Sequence, residues 1–208
     1  ALLNEVQKRG GMVDLYALDV TKKETIKETM TKVAQKYGYL DVLINNAGYG
    51  IGCSFEDLTD EEIRHQLEVN FFGVQHVIRE SIPLMRQRSN TRIINISSVA
   101  GRSSSPCFGA YNASKWALEG FSESLYYELK PFGIKVLLIE PGVYKTKIFF
   151  ENRKYATHFN NPESPYFHMS QHLKKRVDNF VEDCQKDPED IARLAYKLAL
   201  DKNPPFRN

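Results

Sequence analysis

Four short, nearly unbroken apolar runs separated by longer amphipathic stretches constrain this chain more than any other feature. They are Val13 to Asp19, Asp41 to Asn45, Arg92 to Ser97 and Ile134 to Glu140. A half-exposed strand alternates apolar and polar residues, whereas Val42-Leu43-Ile44 and Val136-Leu137-Leu138-Ile139 do not alternate, as expected of strands covered on both faces. The amphipathic stretches between them read as crossover helices, so the pattern predicts an α/β fold with a doubly wound parallel sheet.

The helices have identifiable ends. Thr21 with Glu24 and Thr59 with Glu62 have the spacing of a capping box, in which each side chain satisfies the other residue's free N–H. The first is expected to open a helix running to about Tyr37 before Gly38. The second opens a short helix that leads into a long one through Asn70 and Val77 to Met85, bent near its end by Pro83. A third helix is expected from about Tyr111 to Pro131 and Gly133, and Asp187-Pro188 caps a last one over Glu189 to Leu200. Residues 143–186 break the rhythm. They are rich in Tyr, Phe, His, Asn and charge, carry Pro162 and Pro165, and read as an excursion from the scaffold.

A chain of 208 residues with 42% hydrophobic side chains supports one domain over residues 1–208. Its net charge of +2, with both signs interleaved, speaks against a nucleic-acid partner. No apolar run is long enough for a membrane span, and Cys53, Cys107 and Cys184 form no metal or disulfide pattern, so a reduced, cytoplasmic setting is expected. Ala1 to Arg9 reads as a helix, and a doubly wound sheet is expected to have strands before and after those visible, so the chain is read as a fragment lacking its first βαβ segment.

Chemistry-bearing residues cluster at the carboxyl ends of the strands, where open α/β sheets bind ligands. Tyr111 and Lys115 are four apart on one helix face. A free phenol has a pKa near 10, and bringing it to pH 7 takes about 4 kcal/mol, part of which a neighbouring ammonium supplies. Ser98, thirteen residues earlier at a strand end, can hydrogen-bond a carbonyl oxygen while the tyrosine moves the proton. Alternation sends Ser97 and Ser98 to opposite sides, and the spacing to Tyr111 selects Ser98. A second Tyr-x-x-x-Lys, Tyr126 with Lys130, has no serine at that remove and reads as structural. Several residues also have plain readings: Asp19 capping the helix after Thr21, Asn45 bridging strands, and Gly48 and Gly142 as turn glycines.

Taken in order, Ala17-Leu18-Asp19-Val20, Asn45-Asn46-Ala47-Gly48, Asn70, Ile96-Ser97-Ser98, Tyr111-x-x-x-Lys115 and Pro141-Gly142-x-x-x-Thr146 resemble the motifs of the short-chain dehydrogenase/reductase family. The subgroup most resembled is the bacterial oxidoreductases similar to retinol or 17β-hydroxysteroid dehydrogenases. The resemblance implies a Rossmann-like, NAD- or NADP-dependent oxidoreductase acting on a small-molecule alcohol or ketone. It makes Tyr111 the acid/base and Ser98 the substrate anchor. Lys115 holds the nicotinamide ribose and favours the phenolate, and Asn70 holds a relay water. Asp19 and the Val20 amide receive adenine, and Asn46, Ala47 and Gly48 pass close to ribose and phosphates. The Tyr144 backbone and Thr146 hydroxyl meet the carboxamide. It also implies a homo-oligomer packed through the helices bearing Asn70 and Tyr111, with Trp116, Phe121, Leu125 and Leu129 as contact candidates.

The family's glycine-rich pyrophosphate turn has no counterpart here, since Gly10-Gly11 precedes a strand, and the strand that selects NAD or NADP is absent too. The alternatives are a scaffold protein that has lost cofactor binding, a reductase of a carrier-bound ketoacyl group, and an epimerase. The aromatics between Tyr144 and Phe167 favour a lid over a bulky hydrophobic secondary alcohol or ketone.

Overall fold

The structure is a computed structural model and describes residues 6, 8 and 10–208. The helix expected over Ala1 to Arg9 falls for the most part outside the described residues. Three of the four expected strands form, β1 (Val42–Asn45), β3 (Thr91–Ile96) and β4 (Ile134–Ile139), all parallel in the order β1-β3-β4. Ile93, Ile94, Val136, Leu137, Leu138 and Ile139 are at most 1% exposed, so β3 and β4 are covered on both faces as their composition implies. Burial of each such side chain contributes roughly 1.5–3 kcal/mol relative to exposure. A polar strut crosses this core: Asn45 Nδ2 donates to Asn95 Oδ1 at 2.8 Å, and Asn95 Nδ2 donates to Ser122 Oγ at 2.9 Å. Asn45 thus bridges strands.

The fourth expected strand, Val13 to Asp19, is not one. An apolar run becomes a strand only where a neighbour completes its hydrogen-bond ladder, and none does so among the described residues. Leu18 and Val20 pack on the core while Met12 is 94% and Leu15 60% exposed. On the opposite side, β4 is extended by the chain end, with Leu138 N donating to Phe206 O and Glu140 N to Asn208 O.

Helix α1 (Lys23–Tyr37) starts without the expected Thr21–Glu24 box. Asp19 accepts from both the N–H and the hydroxyl of Thr21, at 3.0 and 2.7 Å, and this local turn moves the helix start past Thr21. The box at α2 (Asp60–Leu67) does form between Thr59 and Glu62. The chain then makes one π-helical turn, Glu68–Gly73, before α3 (Val74–Met85), which contains Pro83. Helix α4 (Gly109–Leu129) is 21 residues long, with Gly133 at φ +71 turning the chain into β4. Asp187 accepts from Glu189 N at the start of the last helix, α6 (Glu189–Leu200).

The excursion has more order than its composition announces. It contains β5 (Lys154–Tyr155), paired in parallel with β2 (Ile51–Gly52), and the 16-residue helix α5 (Phe167–Glu182). Leu173, Val177 and Val181 recur every four residues there, a helical spacing masked by the surrounding polar residues.

Candidate active site

Strand β3 delivers the first functional group. Beyond its end, Ser97 is buried while Ser98 is half-exposed at φ −169, so extended backbone sends the two hydroxyls opposite ways. Ser98 Oγ accepts from Ala100 N at 3.1 Å and donates to Pro141 O at 3.4 Å, tying it to the turn after β4. Tyr111 lies in the first turn of α4. Burial holds its phenol above its usual value, and the neighbouring Ser98 hydroxyl offsets only part of that rise. Lys115, one turn on, is 8% exposed, and its Nζ lies 5.8 Å from the Tyr111 ring centroid. Burial lowers the Lys115 ammonium to about 8, opposed by the charge of Glu119. Of its three donors, one serves Ile96 O at 2.9 Å.

The segment after β1 forms the opposite wall. Asn46 and Ala47 are exposed at the strand's carboxyl end. Asn70 sits in the π-helical turn, a distortion that often marks functional sites. Its side chain is 1% exposed, accepting from Tyr49 N at 3.1 Å and donating to Tyr49 O at 2.9 Å and Ser114 Oγ at 3.1 Å. A Cβ on Gly48 would stand 3.3 Å from Asn70 Oδ1, so that glycine lets the segment after β1 approach Asn70 closely, while at Gly50 a Cβ would stand 3.5 Å from the Tyr111 ring, an ordinary contact.

Ser98, Tyr111, Lys115, Asn70 and Gly48 therefore converge. Val20 packs against the π-helical turn that bears Asn70, where a Cβ on Gly73 would come within 2.8 Å of its side chain. The Asp19 carboxylate, exposed, is held below its usual range by the Thr21 hydroxyl and amide and lies 3.6 Å from Lys22 Nζ; it binds the turn before α1 and does not cap the helix itself, which starts at Lys23 without a side-chain cap. Tyr144 and Thr146 follow Pro141-Gly142; Thr146 N donates to Tyr144 O at 2.7 Å, and Lys186 Nζ stands 5.5 Å from the Tyr144 ring. Three buried residues escaped sequence reasoning. Gln66 and Ser114 flank Asn70 in its hydrogen-bond network, and Glu119 meets Arg207 Nε at 3.3 Å one turn beyond Lys115.

The excursion is tied to residues 56–62 through carboxylates. Tyr166 donates to Glu56 at 2.5 Å, Ser164 to Asp57 at 2.7 Å, and the Thr157 amide to Glu62 at 2.7 Å. Its aromatics divide. Tyr155 and Phe159, 4.4 Å apart, pack on Tyr49 and Ile51, which is scaffold packing, whereas Tyr144 and Phe149 are half-buried and Phe150 is exposed. A cleft of about 530 Å³ opens between Gly48, Tyr49, His65 and residues 151–154. Among the contact candidates on α4, Leu125 and Leu129 are buried within the chain and Phe121 packs edge-on against Phe71, leaving Trp116 half-exposed.

The family model for short chain dehydrogenases matches residues 1–156. The 3-ketodihydrosphingosine reductase of Bacteroides thetaiotaomicron is 38% identical over 197 residues, covering 95% of this chain and 72% of that protein. An uncharacterized oxidoreductase of Bacillus subtilis, YusZ, is 40% identical over 187 residues, 90% of this chain and 66% of the relative. A short-chain dehydrogenase from Streptomyces avermitilis superposes with a TM-score of 0.83 at 33% identity, covering 100% of this chain and 73% of that one. The chain belongs to the short-chain dehydrogenase/reductase family and is of its NAD(P)-dependent oxidoreductase class. It spans roughly two thirds to three quarters of the length of these proteins. Among the described residues, no helix is long and apolar enough to cross a membrane, and no cluster of metal-ligating side chains occurs.

The residues present fit the nicotinamide end of such a cofactor. Lys115 keeps two donors free of partners among the described residues, Asn46 and Ala47 are exposed past the carboxyl end of β1, and a Cβ on Gly142 would meet nothing within 4 Å.

Proposed function

We propose that the protein containing this chain transfers a hydride between a nicotinamide dinucleotide and a bulky hydrophobic secondary alcohol or ketone. The observation that carries this reading is the Ser98–Tyr111 hydroxyl pair with Lys115 buried one turn away. The bound dinucleotide supplies the hydride chemistry; Lys115, Asn46 to Gly48, Tyr144 and Thr146 would hold its nicotinamide half, with Asp19 and Val20 toward adenine. Ser98 hydrogen-bonds the reacting oxygen and orients it on Tyr111. In ketone reduction Tyr111 gives its phenolic proton to that oxygen, and burial, which keeps the phenol protonated, suits this direction. Lys115 offsets the charge left on the phenolate, and Asn70 holds the proton path beside it.

The hydrophobic substrate class is supported by Tyr144, Phe149 and Phe150 at the start of the excursion, and by a relative whose name states a keto form of a sphingoid base. The half-exposed Trp116, with Phe72 41% exposed, supports pairing with a second copy through α4 and the π-helical turn. The test is a panel of ketones of increasing apolar size, assayed through nicotinamide absorbance with the full-length protein and both cofactors. kcat/KM is expected to rise with apolar area. Preference for sugars or carrier-bound ketoacyl groups would remove the substrate class, and no turnover of any carbonyl with either cofactor would remove the reading itself.

A further inference from the structure

Gln66 is fully buried in the last turn of α2, four residues before Asn70 and on the same face. Its Nε2 donates to Tyr49 O at 2.8 Å, and its Oε1 accepts from Ile51 N at 2.9 Å. Two carboxamides therefore bind successive backbone groups of residues 49–51, in the manner of a neighbouring strand. The Tyr49 carbonyl takes a donor from each, and Asn70 takes the Tyr49 N–H. The second amide proton of Asn70 crosses to α4, where it meets Ser114 Oγ at 3.1 Å. Ser114 is 0% exposed, and its hydroxyl donates to Tyr111 O at 2.7 Å. A serine bonding back to its own helix is common, but this one also accepts a bond from another element.

We infer that Gln66 and Ser114 are positioning residues: the buried chain Ile51–Gln66–Tyr49–Asn70–Ser114–Tyr111 fixes the separation between the segment after β1 and the phenol that transfers the proton. Neither residue touches the reacting atoms. Each acts through Asn70 and Tyr49 on the two walls between which substrate and nicotinamide must meet, and Gly50 lies in van der Waals range of the Tyr111 ring. The arrangement places two fully buried polar side chains, Gln66 bonding the segment after β1 from α2 and Ser114 accepting from Asn70 while donating back to Tyr111 O, in a continuous path between the two walls. This inference rests on the reading of Tyr111 as the acid/base.

The experiment uses the full-length holoenzyme with the best ketone of the panel. It compares Gln66→Met, close to isosteric and without hydrogen bonds, Ser114→Ala, the hydroxyl-keeping Ser114→Thr, and Tyr111→Phe. For Gln66→Met and Ser114→Ala, kcat is expected to fall about tenfold to a hundredfold, the scale of a small misplacement of reacting groups. KM for the ketone and the cofactor dissociation constant should stay within about threefold on that scale, and Ser114→Thr should recover most of the loss. Wild-type kcat in both variants overturns the inference, as does a loss confined to melting temperature and cofactor binding with kcat per cofactor-bound enzyme intact. Should Ser114→Ala fail to fold, Gln66→Met decides by the same criteria. Tyr111→Phe separates the two claims: if it retains turnover, the functional reading falls and takes the inference with it. If it is inactive while Gln66→Met and Ser114→Ala turn over normally, only the inference falls.

Discussion

Helix α4 carries a Tyr-x-x-x-Lys at each end, and the two ends have opposite surroundings. At the amino-terminal end, Tyr111 faces the Ser98 hydroxyl, and Lys115 is buried against the carbonyl of Ile96. At the carboxyl-terminal end, the Tyr126 ring lies tilted 5.0 Å from Phe206 and edge-on 5.2 Å from Tyr127, and Lys130 is exposed. The spacing is the same because both pairs obey helix geometry. The difference comes from what each end meets: the first lies at the carboxyl ends of β3 and β4, the second against apolar side chains of the chain's last turn. A motif of this kind specifies only that two groups share a face. What the fold brings against that face sets the surroundings of each pair.

The largest expected effect breaks this comparison most directly. Tyr111→Phe keeps the ring and removes the proton, so turnover should fall by at least about 10²-fold, the usual cost of losing a general acid/base. Tyr126→Phe should stay within about twofold by the same reasoning, since its hydroxyl serves no reacting group. Steady-state kinetics of the full-length variants decides, and equal losses would mean the two ends do not differ as their surroundings say.

Next in size is the lysine. Lys115→Met matches the side chain's length without charge or donors, and kcat/KM should fall about tenfold or more through loss of the cation that favours the phenolate. Lys130→Met, in solvent, should match wild type. A Lys115→Met enzyme of normal turnover would remove the electrostatic half of the contrast.

The legibility of these features in the sequence follows their physical origin. Val136 to Ile139 announces a buried strand because both faces must be apolar. Val13 to Asp19 looks alike but has no ladder among the described residues, and pairing is not written in a single run. Ser98, Tyr111 and Lys115 stood out by their order along the chain. Gln66 did not, because one glutamine on a helix reads as surface. The available signal was its position one turn before Asn70, on the stripe that continues through Val74, Val77 and Ser81. Ser114 is small and hidden beside Lys115, and Glu119 needs the distant Arg207 to declare itself. The aromatics of residues 143–186 were read as one group, and contacts alone separate Tyr155 and Phe159 from Phe149 and Phe150.

A third prediction crosses the comparison over. Tyr126→Ala removes a ring packed against the core, so it should cost about 2 kcal/mol of stability in denaturant titration while leaving kcat per folded molecule unchanged. Tyr111→Phe should show the reverse, a normal transition and little activity. If Tyr126→Ala melted like wild type, the carboxyl-terminal pair would lack the packing role assigned to it.

The smallest effect concerns pH and sharpens what burial does at the amino-terminal end. Lys115 is lowered to about 8 by burial, so its charge is lost at a lower pH than an exposed lysine would lose it. Ketone reduction by this reading needs Tyr111 protonated and Lys115 charged. Burial keeps the first condition satisfied as pH rises, and the second fails, so kcat/KM should decline as pH rises through about 8. Glu119 is the group that opposes this loss, since its charge raises the Lys115 ammonium. Its own carboxyl is pushed up by burial and by Glu140 and pulled down by Ser97 and Arg207, so the carboxylate at this pH depends on that pair of partners. Glu119→Gln keeps the shape and removes the charge, leaving Lys115 to give up its proton more readily, and the declining limb should move to lower pH with the plateau at neutral pH little changed. A profile flat to pH 10 in the wild type would show that the charge on Lys115 is not required, and a limb that stayed in place in Glu119→Gln would show that Glu119 only packs beneath the site.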